Sequence, residues 1–497
     1  MGRTHRLLIG IAVLAVSGVG AYFGSHEISL RRQVARAKAD LPRFRADLIA
    51  QCDALAPVPL PGQITRWTRL RDLGTRYDSI LAEYTKTHSA RTPGGREVYV
   101  DPSSIFTRSP EANADDEQRA MDAMSRALAL GFMQTLKTED FLRDLVTIGE
   151  APITSRGVEL ADSVTDLSKS LSHFSLLRKL PRVNRARISM AIDEAARSRS
   201  GSLDTREILD PLLANVALIE AANSIPNFLA ALVTDSMIRQ NQEAALEIAA
   251  AMPSPALLDA VALEIDRLPE ADSAVILNGL RTSMQLMVAN HFADLSRVRR
   301  GMDDPAIEQL VDIENIGGED EGSTSILGAY RENIAAINAE VDALIAWSTL
   351  DAWPNEKGSF EDRAPDLSDA KRLILDFADI APRFVQKLNE ARARRRITRL
   401  ALALHRFEQR NGHFPKDLTE LVPAWIDAIP IDPWSGRPMR YLPLTRTTGG
   451  EPRIDAFRIW SVGSDSIDNE GTTHIKPGVI DLFEYSGAGF DFTFETK

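Results

Sequence analysis

The stretch "WSVGSDSIDNEG", residues 460–471, gathers the densest set of groups able to do chemistry. An apolar start runs into a loop that holds Asp465, Asp468 and Glu470 between Gly463 and Gly471. Oxygen-rich loops suit hard cations, because calcium takes six to eight ligands from carboxylates, carbonyls and water. The spacing is not that of an EF-hand, which alternates its ligands and puts glycine at the sixth place. The same residues also suit an acidic turn, in which Asp and Asn side chains accept from nearby backbone amides. Catalysis is not expected of this loop.

Other chemistry is not written in recognisable form. There is no phosphate-cradling glycine loop, G-x-S-x-G elbow or H-E-x-x-H pair. The eight histidines, at 5, 26, 88, 173, 291, 405, 413 and 474, share no ligand spacing on one helix. Among 70 Asp and Glu residues some must approach by chance, so a carboxylate pair is no argument for glycosidase chemistry. A single cysteine, Cys52, excludes an intramolecular disulfide and zinc sites built on several thiolates. Its Ala/Leu-rich surroundings predict packing, since a reactive thiolate needs an electropositive pocket. The net charge of −12 opposes nucleic acid and anionic lipid as partners of the whole molecule. An enzyme is not expected.

The elements that would position the loop begin with an apolar segment. A chain of 497 residues exceeds one compact core, and its 44% hydrophobic and 26% charged composition is that of a folded protein. In residues 1–27, Arg3 and Arg6 precede an uncharged run, 7–24, at the short limit of a membrane-spanning helix. An N-terminal transmembrane anchor is expected; a signal peptide with Val19-Gly20-Ala21 as its small-residue site is the alternative. Arg31, Arg32, Arg36 and Lys38 follow, so charge leaves the orientation open. Residues 28–116 read as membrane-proximal helices, broken at "APVPLPG", and a polar loop with one short strand at 98–100. Residues 117–312 are helical in pattern, without a fixed repeat. Within them Phe228, Leu229, Leu232, Val233 and Met237 are expected to line one face, and Ser254 to cap a helix opened by Pro255. Residues 313–390 comprise an acidic break and connecting helices. The fold class expected is mainly α, a helical bundle or irregular helical array, ending in a small α+β domain over 391–497.

In that last domain Ile397, Leu400, Ala401, Leu404 and Phe407 form one apolar helix stripe, stopped by Asn411-Gly412. A short helix after Pro415 is expected to turn Leu418, Leu421 and Val422 inward. Pro430 and Pro433 forbid further helix, Ser435-Gly436 supplies a turn, and strands are expected over 439–444, 456–462 and 490–495 in a small antiparallel sheet. The ordered pieces "RNGHFP", "DLTELVP", "PIDPWSGRPMRY" and "FRIWSVGSD" resemble the globular domain of the major, G-type pseudopilin of type II secretion systems. That resemblance implies a structural calcium ion held by Asp465 and Asp481, with carbonyls of residues 463–466 completing its shell. Asp468 is a further ligand candidate from the loop itself. The chain departs from the family at its start: Glu27 lies beyond the apolar run, and no Gly-Phe-x-x-x-Glu processing site occurs.

The order of parts, an apolar start, a long helical middle and this terminal unit, also resembles a group of bacterial envelope proteins. Together these features imply a non-enzymatic, membrane-anchored envelope protein with a scaffold or interaction role. Its expected place is the inner membrane, single-pass, with the bulk of the chain in the periplasm or otherwise outside the cytoplasm. A link to type II secretion or pilus-like assembly is the narrower form. Expected partners are the membrane, through the N-terminal helix, and other proteins; nucleic acid is not one. The alternatives are an envelope sensor binding a ligand or peptide between helices, and a hydrolase with a site in the helical region.

Overall fold

The computed structural model describes residues 3–92, 94–106, 116–163, 167–198, 203–226, 228–251, 254–270, 272–294, 330–348, 372–448, 451–463, 467–471 and 492–495. The first helix, α1 (Arg3–Leu55), is unbroken. Ala37, Phe44, Leu48 and Cys52 are buried at spacings of seven, four and four, the pattern of one helix face. Helix α1 runs along a later helix of the body (Ser273–Phe292), where Gln51 Nε2 donates to Thr282 Oγ1 at 2.8 Å. Among the described residues no helix is long and apolar enough to cross a membrane. The anchor expected over residues 1–27 therefore gains no support from the structure. Its backbone simply continues α1, and its side chains lie outside the described residues.

After α2 (Arg66–Thr87), β1 (Ala90–Arg91) and β2 (Glu97–Val98) pair antiparallel, so of the strand expected at 98–100 only Val98 is in a strand, and Tyr99 and Val100 lie past its end. Then come α3 (Asp116–Thr138), α4 (Phe141–Val146), α5 (Gly157–Ser163), α6 (Leu167–Arg197), α7 (Thr205–Asn223), α8 (Phe228–Ala250), α9 (Pro255–Arg267) and α10 (Ser273–Phe292). With α1 and α2 they enclose one continuous apolar core. Arg66 is buried in it, donating to the carbonyls of Gly149, Ala151 and Ala217 and to the Glu220 carboxylate. That guanidinium satisfies the carbonyls of Gly149 and Ala151 in the turn before α5 and ties that turn to α7 through Ala217 and Glu220. Ser254 caps α9 as expected, its Oγ accepting from Leu257 N at 3.3 Å.

Helix α8 corrects one expectation. Met237 is fully buried, but Leu232 is 36% exposed and Val233 only half-buried. The inward positions are Ala230, Thr234, Met237, Asn241 and Ala245, spaced by three and four. This helix contacts α6, α7, α9 and α10, and small residues on its inner surface let those backbones come close. An amide chain crosses the same interface: Asn184 of α6 donates to Asn215 of α7, which donates to Asn241 of α8, both at 2.8 Å. All three are fully buried.

Beyond the undescribed residues 295–329 and 349–371, which include most of the expected acidic break, stand α11 (Tyr330–Ser348) and α12 (Arg372–Asn411). The hydroxyl of Tyr330 donates to Asp40 Oδ2 at 2.9 Å and ties α11 to α1. Helix α12 ends as expected, with Gly412 in the left-handed region at φ +78°. Its stripe of Ile397, Leu400, Ala401, Leu404 and Phe407 is buried throughout. The 3-10 turn Leu418–Leu421 follows, closed by a capping box between Asp417 and Glu420. Leu418 and Leu421 point inward, whereas Val422 is 36% exposed. It follows the turn in extended conformation, φ −94°, and so leaves the helical period that would have buried it.

Strands β3 (Arg440–Thr448), β4 (Glu451–Ser461) and β5 (Phe492–Glu495) form an antiparallel sheet in that order. Phe457, Ile459 and Phe494 cover the α12 stripe together with Phe414, Trp434 and Met439. Leu246 of α8 belongs to the same core. The boundary placed at residue 391 thus falls inside one continuous helix. Two ion pairs join that helix to α9: Arg399 Nε with Asp266 at 2.5 Å and Arg406 Nε with Asp259 at 2.6 Å. Both partners step by seven residues, in opposite directions, which is the register of two antiparallel helices.

Candidate functional site

The loop after β4 is described at residues 467–471, and the structure gives Asp468 three donors. Its Oδ2 accepts from Arg440 Nε at 2.8 Å; its Oδ1 accepts from Trp460 Nε1 at 3.0 Å and from the Glu470 amide at 3.1 Å. Burial alone would raise this carboxyl. The hydrogen bonds from Arg440, Trp460 and the Glu470 amide, with the Arg440 charge, outweigh burial and hold it below the usual carboxylate range. Gly471, at φ +72°, lies against the Trp460 ring so closely that a Cβ there would sit 3.2 Å from its carbons and 2.7 Å from Arg458 Cδ. The Gly471 carbonyl accepts from Thr493 Oγ1 of β5 at 3.2 Å. The loop is therefore folded back over β4 and fastened to the edge strand.

This donor set fits a neutralised carboxylate that positions a loop. It does not fit a free calcium ligand, since a guanidinium already faces one oxygen and two N–H groups the other. Asp465 and Asp481, the other two expected ligands, lie outside the described residues. Among the described residues no group of three or more His, Cys, Asp or Glu side chains is placed to hold a metal ion. Of the expected ligand set the structure thus places Asp468 alone, against Arg440 and Trp460.

A second carboxylate, absent from the sequence reading, organises the unit from inside. Asp432 is 1% exposed. Its Oδ1 accepts from Trp434 N at 3.1 Å and Ser461 Oγ at 2.7 Å; its Oδ2 accepts from Val462 N at 3.1 Å and Ser435 Oγ at 3.0 Å. Four donors replace the water that carboxylate oxygens lose on burial. Asp432 joins the turn "DPWSG" to the end of β4, immediately before the acidic loop. The signal available was the Asp-Pro start of a Ser-Gly turn, a pattern in which Asp accepts from amides two residues on.

Two side chains that the sequence singled out, Cys52 and His405, are buried. Burial, with a smaller contribution from Asp53, pushes the Cys52 thiol up to about 12, which makes it an inert packing residue. His405 is buried against Phe414 and Phe457 with its rings edge to face, and burial pushes its imidazole down to about 4. Comparison of the chain with family models, curated proteins and solved structures gives no match.

Proposed function

We propose that this chain is a non-enzymatic, membrane-anchored envelope scaffold that carries a pseudopilin-like unit on a helical body. The observation that carries the reading is α12, whose one continuous helix packs in both parts, its stripe in the core of the terminal unit that also takes in Leu246 of α8. A unit attached this way is held at a set position, as a presented surface requires, and not at the end of a flexible tether. The membrane anchor rests on the uncharged run 7–24, and the pseudopilin likeness on the quoted motifs together with a helix-plus-antiparallel-sheet unit. Residence in the inner membrane with the bulk outside the cytoplasm, protein partners, and a narrower link to secretion or pilus-like assembly belong to the same proposal. Capture of partners by the full-length chain from solubilised membranes tests it. Envelope proteins retained by the wild type and lost when residues 412–497 are removed are the expected result. Recovery of the chain from the cytosolic fraction, with no membrane association, would overturn it.

Calcium is proposed at Asp465 and Asp481, on the resemblance alone; Asp468 would have to leave Arg440 to join them. A native-state site predicts that the full chain melts higher in calcium than in chelator. The gain is about 3 to 4 kcal/mol at 100 to 1,000 times the dissociation constant. An unchanged melt at millimolar calcium removes the ion from the account.

A further inference from the structure

Helix α1 continues from the run 7–24 into the body without a break, so the residues after that run stand at fixed distances from it. Residues 28–39, "ISLRRQVARAKA", hold four cations, Arg31, Arg32, Arg36 and Lys38, and no acid, in a chain whose net charge is −12. One face of this stretch belongs to the body: Val34 and Ala37 are buried, and Leu30 and Leu41 pack against the same core. All four cations are exposed. Arg32 and Arg36, one turn apart, sit opposite Val34 and Ala37, and Arg31 and Lys38 lie on one flank. Among the described residues no side-chain hydrogen bond or ion pair engages Arg32, Arg36 or Lys38. Further along the same helix the cations are partnered, Arg43 with Asp40 at 3.7 Å and Arg45 with Asp162 at 2.5 Å. Asp40, the first acid after the basic stretch, also accepts from the Tyr330 hydroxyl.

The strip is therefore a local positive charge on an acidic molecule, next to the one segment read as entering a bilayer. At 1.5 Å per residue its four Cα atoms stand about 10 to 21 Å beyond residue 24. Headgroups occupy about 5 to 8 Å outside the hydrocarbon on each side of a bilayer. Screened attraction extends about 8 to 10 Å further. Helix side chains lean toward the N-terminus, here back toward the apolar run, which brings the long Arg and Lys heads closer still. Arg31 and Arg32 then reach the headgroups, and Arg36 and Lys38 lie within a screening length of them. The same surface repels the acidic remainder of the chain, so both effects favour the strip facing the membrane and the body standing away from it.

We propose that Arg31, Arg32, Arg36 and Lys38 bind the anionic lipid headgroups of the bilayer that the apolar run enters, and so set how α1 stands on the membrane. The geometry rests on the anchor reading; the lipid preference does not. The full-length chain, presented from mild detergent, is offered equal amounts of two vesicle populations with different dyes, phosphatidylcholine alone and phosphatidylcholine mixed with phosphatidylglycerol. The chain recovered on each is measured after flotation. One cation near an anionic surface favours binding about fivefold. The wild type is therefore expected at least tenfold enriched on the anionic vesicles at 0.1 M salt and evenly spread at 1 M. Arg32→Gln, Arg36→Gln and Lys38→Gln together should remove the enrichment. Arg71→Gln, Lys86→Gln and Arg119→Gln, the same loss of charge at exposed positions of the body, should keep it. Circular dichroism establishes that both variants are folded. An even spread of the wild type at low salt, full enrichment of the folded strip variant, or equal loss in the body variant would each overturn the proposal. Capture by soluble polyglutamate with no preference between vesicles assigns the strip to an acidic protein and overturns it too. The anchor is read separately: binding to neutral vesicles at 1 M salt supports it. Loss of that binding beside a salt-sensitive anionic preference sinks the anchor and leaves the strip as a peripheral contact.

Discussion

Asp432 shows how one buried side chain can define a local structure. Both of its oxygens accept from a backbone N–H, Trp434 on one and Val462 on the other. An amide in its place must turn its NH2 group toward one of those N–H donors, whichever way it flips. Asp432→Asn is therefore expected to destabilise the protein by about 2 to 4 kcal/mol in urea unfolding, since hydrogen bonds to charged acceptors contribute about 1.5 to 3 each. A loss below half a kcal/mol would show that the network is not needed. His405 supplies a pH dependence. Its folded value, about 4, lies below the ordinary 6.5, so the unfolded chain takes up the proton first as pH falls. Stability from this group is complete above pH 6.5 and lost between 6.5 and 4, about 3 kcal/mol in all. His405→Leu should flatten the urea midpoint across that window. Asp417 and Asp468, both held below the carboxylate range, act mainly beneath it, near and below about pH 4.

The α9–α12 contact belongs to the scale of elements. Its two ion pairs are partly exposed, with side-chain exposures of 48% and 46% for Arg399–Asp266 and 27% and 41% for Arg406–Asp259. Such pairs contribute little, so Arg399→Ala with Arg406→Ala should cost only about 1 to 2 kcal/mol together, a difference that shrinks at 1 M salt. A loss above about 4 kcal/mol would mean that the pairs, not the apolar stripe beneath them, hold α12 in place. Arg406 also lies over the Trp425 ring at 5.4 Å, as Arg410 does at 4.9 Å, so part of any loss at Arg406 is cation–π and packing. The amide chain Asn184–Asn215–Asn241 acts at the same scale: each helix can satisfy it in one register only.

For the whole molecule the decisive feature is the sharing of elements between cores. Leu246 is fully buried among residues of the terminal unit, yet it sits on α8 of the body. Leu246→Ala should cost about 2 to 5 kcal/mol, as for other fully buried leucines. Because α8 and α12 serve both parts, the loss should appear in one transition, with far-UV dichroism and tryptophan fluorescence coincident. Two separated transitions, only one of them shifted, would show that the terminal unit folds independently.

The sequence by itself determined what short-range periodicity and turn chemistry control. The stripe of α12, its stop at Gly412, the Ser254 cap and the three strands of the terminal sheet follow from residues within a turn or two of each other. Direction of burial on α8 did not follow. Ala230 and Thr234 point inward there while Leu232 reaches solvent, because helices on several sides decide which face closes. Asp468 was visible as a carboxylate, but only the tertiary structure put Arg440 and Trp460 on it, from strands twenty-eight and eight residues away. Asp432 and the continuity of α12 across an expected boundary were hidden for the same reason. Each depends on groups distant in sequence that meet only when the helices pack, and no local pattern records such a meeting.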